Sequence, residues 1–320
     1  MKILKDLEVL SIPTTTKFRG ISEREVVIFQ GPAGWSEFSP FVEYDDFEAK
    51  NWLKAAIEGA NRNWQNLKKE KIKINATLPK VEPERAADIL KKFPGISVIK
   101  IKVDSFISDA DLIEAALEYA PDAKIRLDIN GGWDLKTALL NLYDFHLRFG
   151  DVFEYIEQPC QSLDELRQLK REIPMKIAVD ESIRKNPQAD FSNFKEFADI
   201  AILKWQPIGG TKKAIEITRD IGLPVVISSA LETGIGLSHG IALASELNVE
   251  LACGLGTANL LTSDIVNEDL EIKDGEIAVI ARTPNWSKVE KFRANEERKT
   301  WWQARITRIL ESGEFDEHLH

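Results

Sequence analysis

The sequence predicts an α/β chain built on a (β/α) barrel, with an α+β N-terminal capping domain that the C-terminal segment completes. Three observations lead to this fold class. From about residue 71 onward, short β-rich runs alternate with amphipathic stretches such as DADLIEAALEYA and SLDELRQLKRE. The C-terminal ends of the runs recur about every 25 residues, near 78, 103, 128, 157, 180, 204, 228 and 253. Five consecutive ends carry lysine or a carboxylate, a placement suited to the mouth of a barrel, where strands hand over to loops.

Composition sets the outer bounds. The chain has 320 residues, 43% hydrophobic and 29% charged, which excludes a disordered or membrane-spanning protein. No membrane insertion is expected. The opening MKILKDLEVL carries charge through its apolar stretch and reads as a first strand rather than an export signal, so a cytoplasmic protein is expected. The formal net charge is −10 and no basic stripe with interleaved aromatics occurs, so nucleic acid is not an expected partner. Two cysteines and four histidines exclude a disulfide framework and a Cys-rich zinc site. The acidic tail with His318 and His320 is expected to fray.

Residues 1–70 read as the capping domain. Leu7, Val9 and Leu10 begin a strand, TTTKFRG reads as a loop, Val26–Phe29 as a second strand, and GPAG as a turn. From Tyr44 to about Lys69, Phe47, Trp52, Ala55, Ala56, Ala60 and Trp64 follow a helical period. Residues 71–264 read as the barrel, its eight strand candidates running from KIKINATL (71–78) to VELACG (249–254). A doubly wound open sheet is the alternative, but ATLPKVEPE lacks the glycine-rich phosphate loop expected after its first strand. Residues 265–320 supply a hairpin around Asp274-Gly275 and a charged helix with Trp301 and Trp302, expected to pack back on the cap.

The run VIKIKVD (98–104) places Lys100 and Lys102 two apart, so both point to one strand face, with Ile99, Ile101 and Val103 on the other. The next strands end in Asp128 (RLDINGGW), Glu157 (YIEQPC), Asp180 (AVDES) and Lys204 (ILKWQPIGG). Any one alone reads as a helix cap or a solvated charge. Five in order on consecutive strands do not. Three converging carboxylates repel one another unless a cation joins them, and an all-oxygen set suits a hard cation such as Mg²⁺.

KxK, D-x-N, EQP, DES and a lysine followed by GG together resemble the enolase superfamily, muconate-lactonizing subgroup. Within it, FRG near residue 20, GWSEFSPF, DINGGW, EQPC, VDESIRK and SSALETGIGL are similar to the o-succinylbenzoate synthase family. The resemblance covers nearly the whole chain and implies an enolase-type barrel acting on a small-molecule carboxylate. The implied reaction is metal-dependent syn elimination of water from 2-succinyl-6-hydroxy-2,4-cyclohexadiene-1-carboxylate, giving 2-succinylbenzoate for menaquinone biosynthesis.

In that reading Asp128, Glu157 and Asp180 hold Mg²⁺ (or Mn²⁺). Lys102 is the general base and returns its proton to the departing hydroxyl, and Lys100 and the cation disfavour its charged form. Lys204 faces the opposite side of the substrate as a cation. Asn130 holds a metal-bound water or ligand carboxylate, and Glu181 orients neighbouring groups or caps the next helix. Arg19 closes over the pocket, while backbone amides around Gly209, Ser228, Ser229 and Gly254 take the distal carboxylate. Cys160 and His239 read as structural. Ile129, where family members commonly carry a small residue, and Trp205 are departures expected to reshape the pocket. A monomer is expected. The same residues also serve a racemase of N-succinylamino acids or a dipeptide epimerase, and a barrel that only binds an anion is a third reading.

Overall fold

The structure, a computed structural model, describes residues 7–18, 20–312 and 315. Three antiparallel strands, β1 (Glu8–Phe18), β2 (Ile21–Gly31) and β3 (Gly34–Phe38), open the chain in the order β1-β2-β3. TTTKF is not a loop: it continues β1, whose pairing with β2 shifts between Pro13 and Phe18 and closes at Phe18↔Ile21. The β-branched threonines favour extended backbone, and Gly20, just before β2, supplies a φ of +84°.

Helix α1 (Asp46–Asn61) starts on Asp45, whose side chain accepts from the Glu48 amide. It stops at Asn61 rather than near Lys69. Glu246 takes Arg62 Nη1 and Nη2 (2.8 and 2.7 Å) and the Gln65 amide, while Ser245 takes the amides of Lys68 and Lys69, so this stretch bonds to the barrel instead of coiling on.

The expected strand 71–78 divides into β4 (Lys71–Lys73) and β5 (Ala76–Leu78). β5 begins a seven-stranded parallel sheet with β6 (Val98–Lys102), β7 (Lys124–Asp128), β8 (Phe153–Glu157), β9 (Ile177–Val179), β10 (Ile200–Lys204) and β11 (Val225–Ser228), ordered as in the sequence. The eighth candidate is not a full strand. It survives as two parallel bridges, Ser228↔Gly254 and Ile74↔Cys253, which join β11 to the start of β5 and close the ring. Asn75 N–H donates to Cys253 O (2.9 Å) and Gly254 N–H to Ile227 O (2.8 Å). β4 instead pairs antiparallel with β12 (Glu276–Ala278), which follows the Asp274-Gly275 turn. The expected hairpin keeps only one strand.

Helices α2 (Ala86–Leu90), α3 (Phe106–Tyr119), α4 (Leu135–Phe149), α5 (Leu163–Glu172), α6 (Glu181–Arg184), α7 (Trp205–Ile208), α8 (Thr211–Ile221) and α9 (Gly234–Glu246) follow successive strands. The strand period of two sorts the barrel into layers. Ile99, Ile101, Ile125, Leu127, Ile177, Val179, Leu203 and Ile227 face outward and share the main core with Leu112, Leu142, Leu166 and Ile217 of the helices. Tyr155, Ala178, Ile200, Ile202 and Val226 form a second cluster inside the barrel. Arg126 is fully buried beside them, 4.6 Å above the Tyr155 ring, and donates to Asn75 Oδ1 (2.9 Å), Ala252 O and Glu154 (both 2.6 Å). On β7, β8 and β10, and just past β9, the next inward position toward the C-terminal end carries Asp128, Glu157, Lys204 and Asp180.

After α10 (Trp286–Phe292), α11 (Glu296–Glu311) lies on the N-terminal sheet and α1. Trp302 is fully buried with Val27, Phe29, Phe38 and Trp52, and its indole N–H reaches Glu25 Oε2 at 2.6 Å. Among the described residues no helix is long and apolar enough to cross a membrane.

Candidate active site

A cavity of about 330 Å³ opens at the C-terminal ends of the barrel strands, with Gly20 of the β1–β2 hairpin on its rim. Lys100, Lys102, Asp128, Asn130 and Lys204 line it, as do Ser228, Ser229 and Gly254 on the far side. Register explains the gathering: Lys102 pairs across to Asp128, Asp128 to Glu157, and Lys204 to Ser228, so the charged ends lie at one height.

The two lysines of β6 have different partners. Lys100 Nζ lies 2.9 Å from Asp128 Oδ2 and 2.8 Å from Glu157 Oε1. Burial disfavours its charge, but these two carboxylates outweigh burial and hold the ammonium well above its ordinary range. Its charge is therefore held and shared between two carboxylates. Lys102 Nζ donates to Asn130 Oδ1. Asn130 sits at a left-handed φ of +52°, and its Nδ2 donates to Glu181 Oε1 (3.3 Å), the oxygen that also takes Arg184 Nη2 (2.8 Å). Glu181 stands within reach of Asn130 and Arg184.

On the other side, Lys204 Nζ lies 2.5 Å from Asp180 Oδ2. Burial works against the Asp180 charge, but Lys204 and Arg184 overcome it and hold the carboxyl well below the usual range. Asp128 is also held low: burial opposes its ionisation and Lys100 outweighs that. Glu157 goes the other way. Burial, reinforced by the Asp128 charge, pushes it up to about 7 despite Lys100.

The residues present fit a hard divalent cation. Asp128 Oδ1, Glu157 Oε2 and Asp180 Oδ1 are buried and have no hydrogen-bond partner, one oxygen on each carboxylate. Buried carboxylate oxygens are normally satisfied, so three such oxygens on consecutive strands mark a place for a cation. Among the described residues no three acidic, His or Cys side chains are already drawn together at ligating geometry. Lys100 and Lys204 hold the carboxylates in ion pairs instead.

Several expectations need correction. Gly209 is not a wall residue: it ends α7 in a left-handed turn (φ +100°) facing Asn51 of α1, away from the cavity. Ile129 falls between the inward-facing Asp128 and Asn130 and is buried in the outer core. Trp205 turns outward, stacks on His239 (4.5 Å between centroids, 12°) and donates to Thr211 Oγ1 at 3.2 Å. Neither departure shapes the wall. Arg19 lies outside the described residues, as do His318 and His320. Burial pushes the Cys160 thiol up to about 12 and Cys253 up to about 11, so both are inert at neutral pH.

Sequence reasoning missed two residues. Gln158, at φ +40°, accepts from the amides of Asp180 and Ser182 (both 3.1 Å) and donates to Cys160 O and Ser182 Oγ, tying the end of β8 to that of β9. Arg184 follows Asp180 by four and Glu181 by three, a helical spacing that signals a shared face.

Residues 9–60 match the enolase N-terminal domain-like family, and residues 84–284 the enolase C-terminal domain-like family. The o-succinylbenzoate synthase of Mycolicibacterium smegmatis is 37% identical over 309 residues, covering 95% of each chain. This chain belongs to the o-succinylbenzoate synthase family of the enolase superfamily. The o-succinylbenzoate synthase of Thermobifida fusca is 41% identical over 268 residues, 81% of this chain and 83% of its own. The muconate lactonizing enzyme of Pseudomonas fluorescens superposes with a TM-score of 0.75 at 18% identity, over 90% of this chain and 98% of its own. That likeness bears on fold alone.

Proposed function

We propose that this chain eliminates water from 2-succinyl-6-hydroxy-2,4-cyclohexadiene-1-carboxylate to give 2-succinylbenzoate, the step that serves menaquinone biosynthesis. The observation that carries the reading is one cavity faced by Lys102 and Lys204, with Asp128, Glu157 and Asp180 between them, each keeping a buried unbonded oxygen. These three carboxylates would hold Mg²⁺, with Mn²⁺ as a substitute. Bound there, the cation supplies Lewis-acid stabilisation of the charge that grows on the substrate carboxylate when its α-proton leaves.

The chain's own residues do the rest. Lys102, as the free amine, takes the proton from the carbon bearing the carboxylate. The C–H electron pair ends in the ring, the C–O bond breaks, and the hydroxyl leaves with the proton that Lys102 returns. Water is the product and Lys102 is neutral again. Asn130 accepts an N–H of Lys102, which fixes where the nitrogen sits at the cavity wall. Lys204, held by Asp180, presents a cation to the far face of the substrate. Ser228, Ser229 and Gly254 border the side where the succinyl chain would lie. We place the enzyme in the cytoplasm as a monomer.

A second reading, racemisation of N-succinylamino acids or epimerisation of dipeptides, is favoured by the same cavity holding both lysines. Purified protein with Mg²⁺ is expected to form 2-succinylbenzoate, with EDTA stopping turnover. Absence of that product, together with rapid α-proton exchange on N-succinylamino acids, would replace the first reading by the second.

A further inference from the structure

The cap reaches the cavity wall through a buried guanidinium. Arg24 lies on β2 opposite Ile12 and is 1% exposed. Its hydrogen bonds end on main-chain carbonyls from two separate segments. Nε donates to Leu231 O (3.1 Å) and Nη2 to Ala230 O (3.2 Å), both in the loop after β11. Nη2 also donates to Ser39 O and Nη1 to Pro40 O (3.5 Å), just beyond β3, and the guanidinium lies 4.3 Å from the Phe41 ring centroid.

That loop forms part of the cavity wall through Ser229 and Ala230. Its backbone is unusual: Leu231 holds a left-handed φ of +66°, which a leucine keeps only when its surroundings impose it. The imposing contacts are identifiable. The Leu231 side chain is fully buried with Ile12, Val26 and Ile28 of the cap. Glu232 turns back to accept the Ala230 amide at 2.6 Å, and Ser229 Oγ lies 2.6 Å from Thr257 Oγ1. Arg24 takes the carbonyls on both sides of the bend. A planar fork spans several acceptors at once, whereas a lysine is a point charge that cannot.

We propose that Arg24 is a positioning residue that clamps the wall loop Ser229–Glu232 to the cap and thereby sets substrate affinity without touching the substrate. The inference rests on the cavity being the substrate site. Steady-state kinetics of Arg24→Lys and Arg24→Met, with amide hydrogen exchange, test it alongside Lys102→Ala. For both Arg24 variants KM is expected to rise by about tenfold or more while kcat stays within about threefold. Exchange is expected to quicken at residues 229–234 ahead of the rest of the barrel. If Arg24→Met does not fold, Arg24→Lys decides alone. A wild-type KM in Arg24→Lys overturns the clamp, as does a fall in melting temperature with uniformly faster exchange and unchanged KM. Turnover surviving in Lys102→Ala removes the site reading, and the clamp with it. An inactive Lys102→Ala beside a wild-type KM in Arg24→Lys removes the clamp alone.

Discussion

Lys100 Nζ lies 2.8 Å from Glu157 Oε1, both side chains nearly buried at 13% and 1% exposure. Lys102, two residues on, donates to the amide oxygen of Asn130. Removing Lys100 leaves Asp128 and Glu157 facing each other with no cation between them. Breaking a buried pair from one side costs about 3–5 kcal/mol. Lys100→Met is therefore expected to lose stability of that order in EDTA, measured by urea unfolding, and to recover part of it when Mg²⁺ takes the place of the ammonium. Lys102→Met is expected to lower kcat by ~10²–10⁴. Failure of Mg²⁺ to restore stability to Lys100→Met would contradict the assignment of Lys100 to the two carboxylates.

The three unbonded carboxylate oxygens make a second prediction that does not require turnover. A ligand that binds only the folded state raises the melting temperature as its concentration exceeds Kd. Mg²⁺ is expected to raise that of the wild type, and Asp180→Asn to abolish most of the shift. Calorimetric titration gives the stoichiometry, expected to be one ion per chain. A shift that persists in Asp180→Asn would place the cation elsewhere.

Much of this arrangement was legible in the sequence because strand parity is strict. Lys100 and Lys102 could be assigned to one strand face from their spacing, and Asp128, Glu157, Asp180 and Lys204 to the barrel mouth from their place at successive strand ends. What parity does not carry was missed. β4 and β5 read as one strand because no Gly or Pro separates them, although Ile74 already bridges to Cys253. VELACG looked like a strand but contributes two bridges, since ring closure needs only a few residues there. Gly209 follows Lys204 closely in sequence, yet a four-residue helix carries it away to α1. Arg24 gave no signal: what it does depends on carbonyls about 200 residues distant.

His239 sets a pH dependence on folding. Its Nε2 lies 3.1 Å from Trp35 O and its Nδ1 3.4 Å from the Trp64 indole nitrogen. A carbonyl only accepts and an indole N–H only donates, so the ring is neutral with its proton on Nε2. A second proton on Nδ1 would meet the indole donor. Burial accordingly lowers the group from 6.5 to about 4, with the Arg62 charge adding to it. The unfolded chain takes up a proton below pH 6.5 while the folded chain resists until about 4, so stability falls as pH drops through that window. The loss attributable to His239 amounts to about 3 kcal/mol at most for a shift from 6.5 to about 4. Comparing urea unfolding of wild type and His239→Gln from pH 7 to 4 isolates it. Parallel curves would show that His239 does not titrate with folding.

Gly59 lies where α1 of the cap crosses the barrel. A Cβ there would stand 2.7 Å from Ser36 Oγ and 2.9 Å from both His239 Cε1 and Trp205 Cη2. Two effects of opposite sign compete in Gly59→Ala. Helix propensity favours alanine by about 1 kcal/mol. Overpacking costs about 1–3 kcal/mol when the neighbours cannot yield. The Trp205 and His239 rings are stacked on each other and each is hydrogen-bonded, so neither can step back without giving up a partner. Overpacking is therefore expected to win, and Gly59→Ala to lower the denaturation midpoint. Because the loss arises at the contact between cap and barrel, His239→Gln, which loosens one of the two rings, is expected to soften it in the double variant. Additive losses in that double-mutant cycle would show that the ring stack is not what makes the site tight.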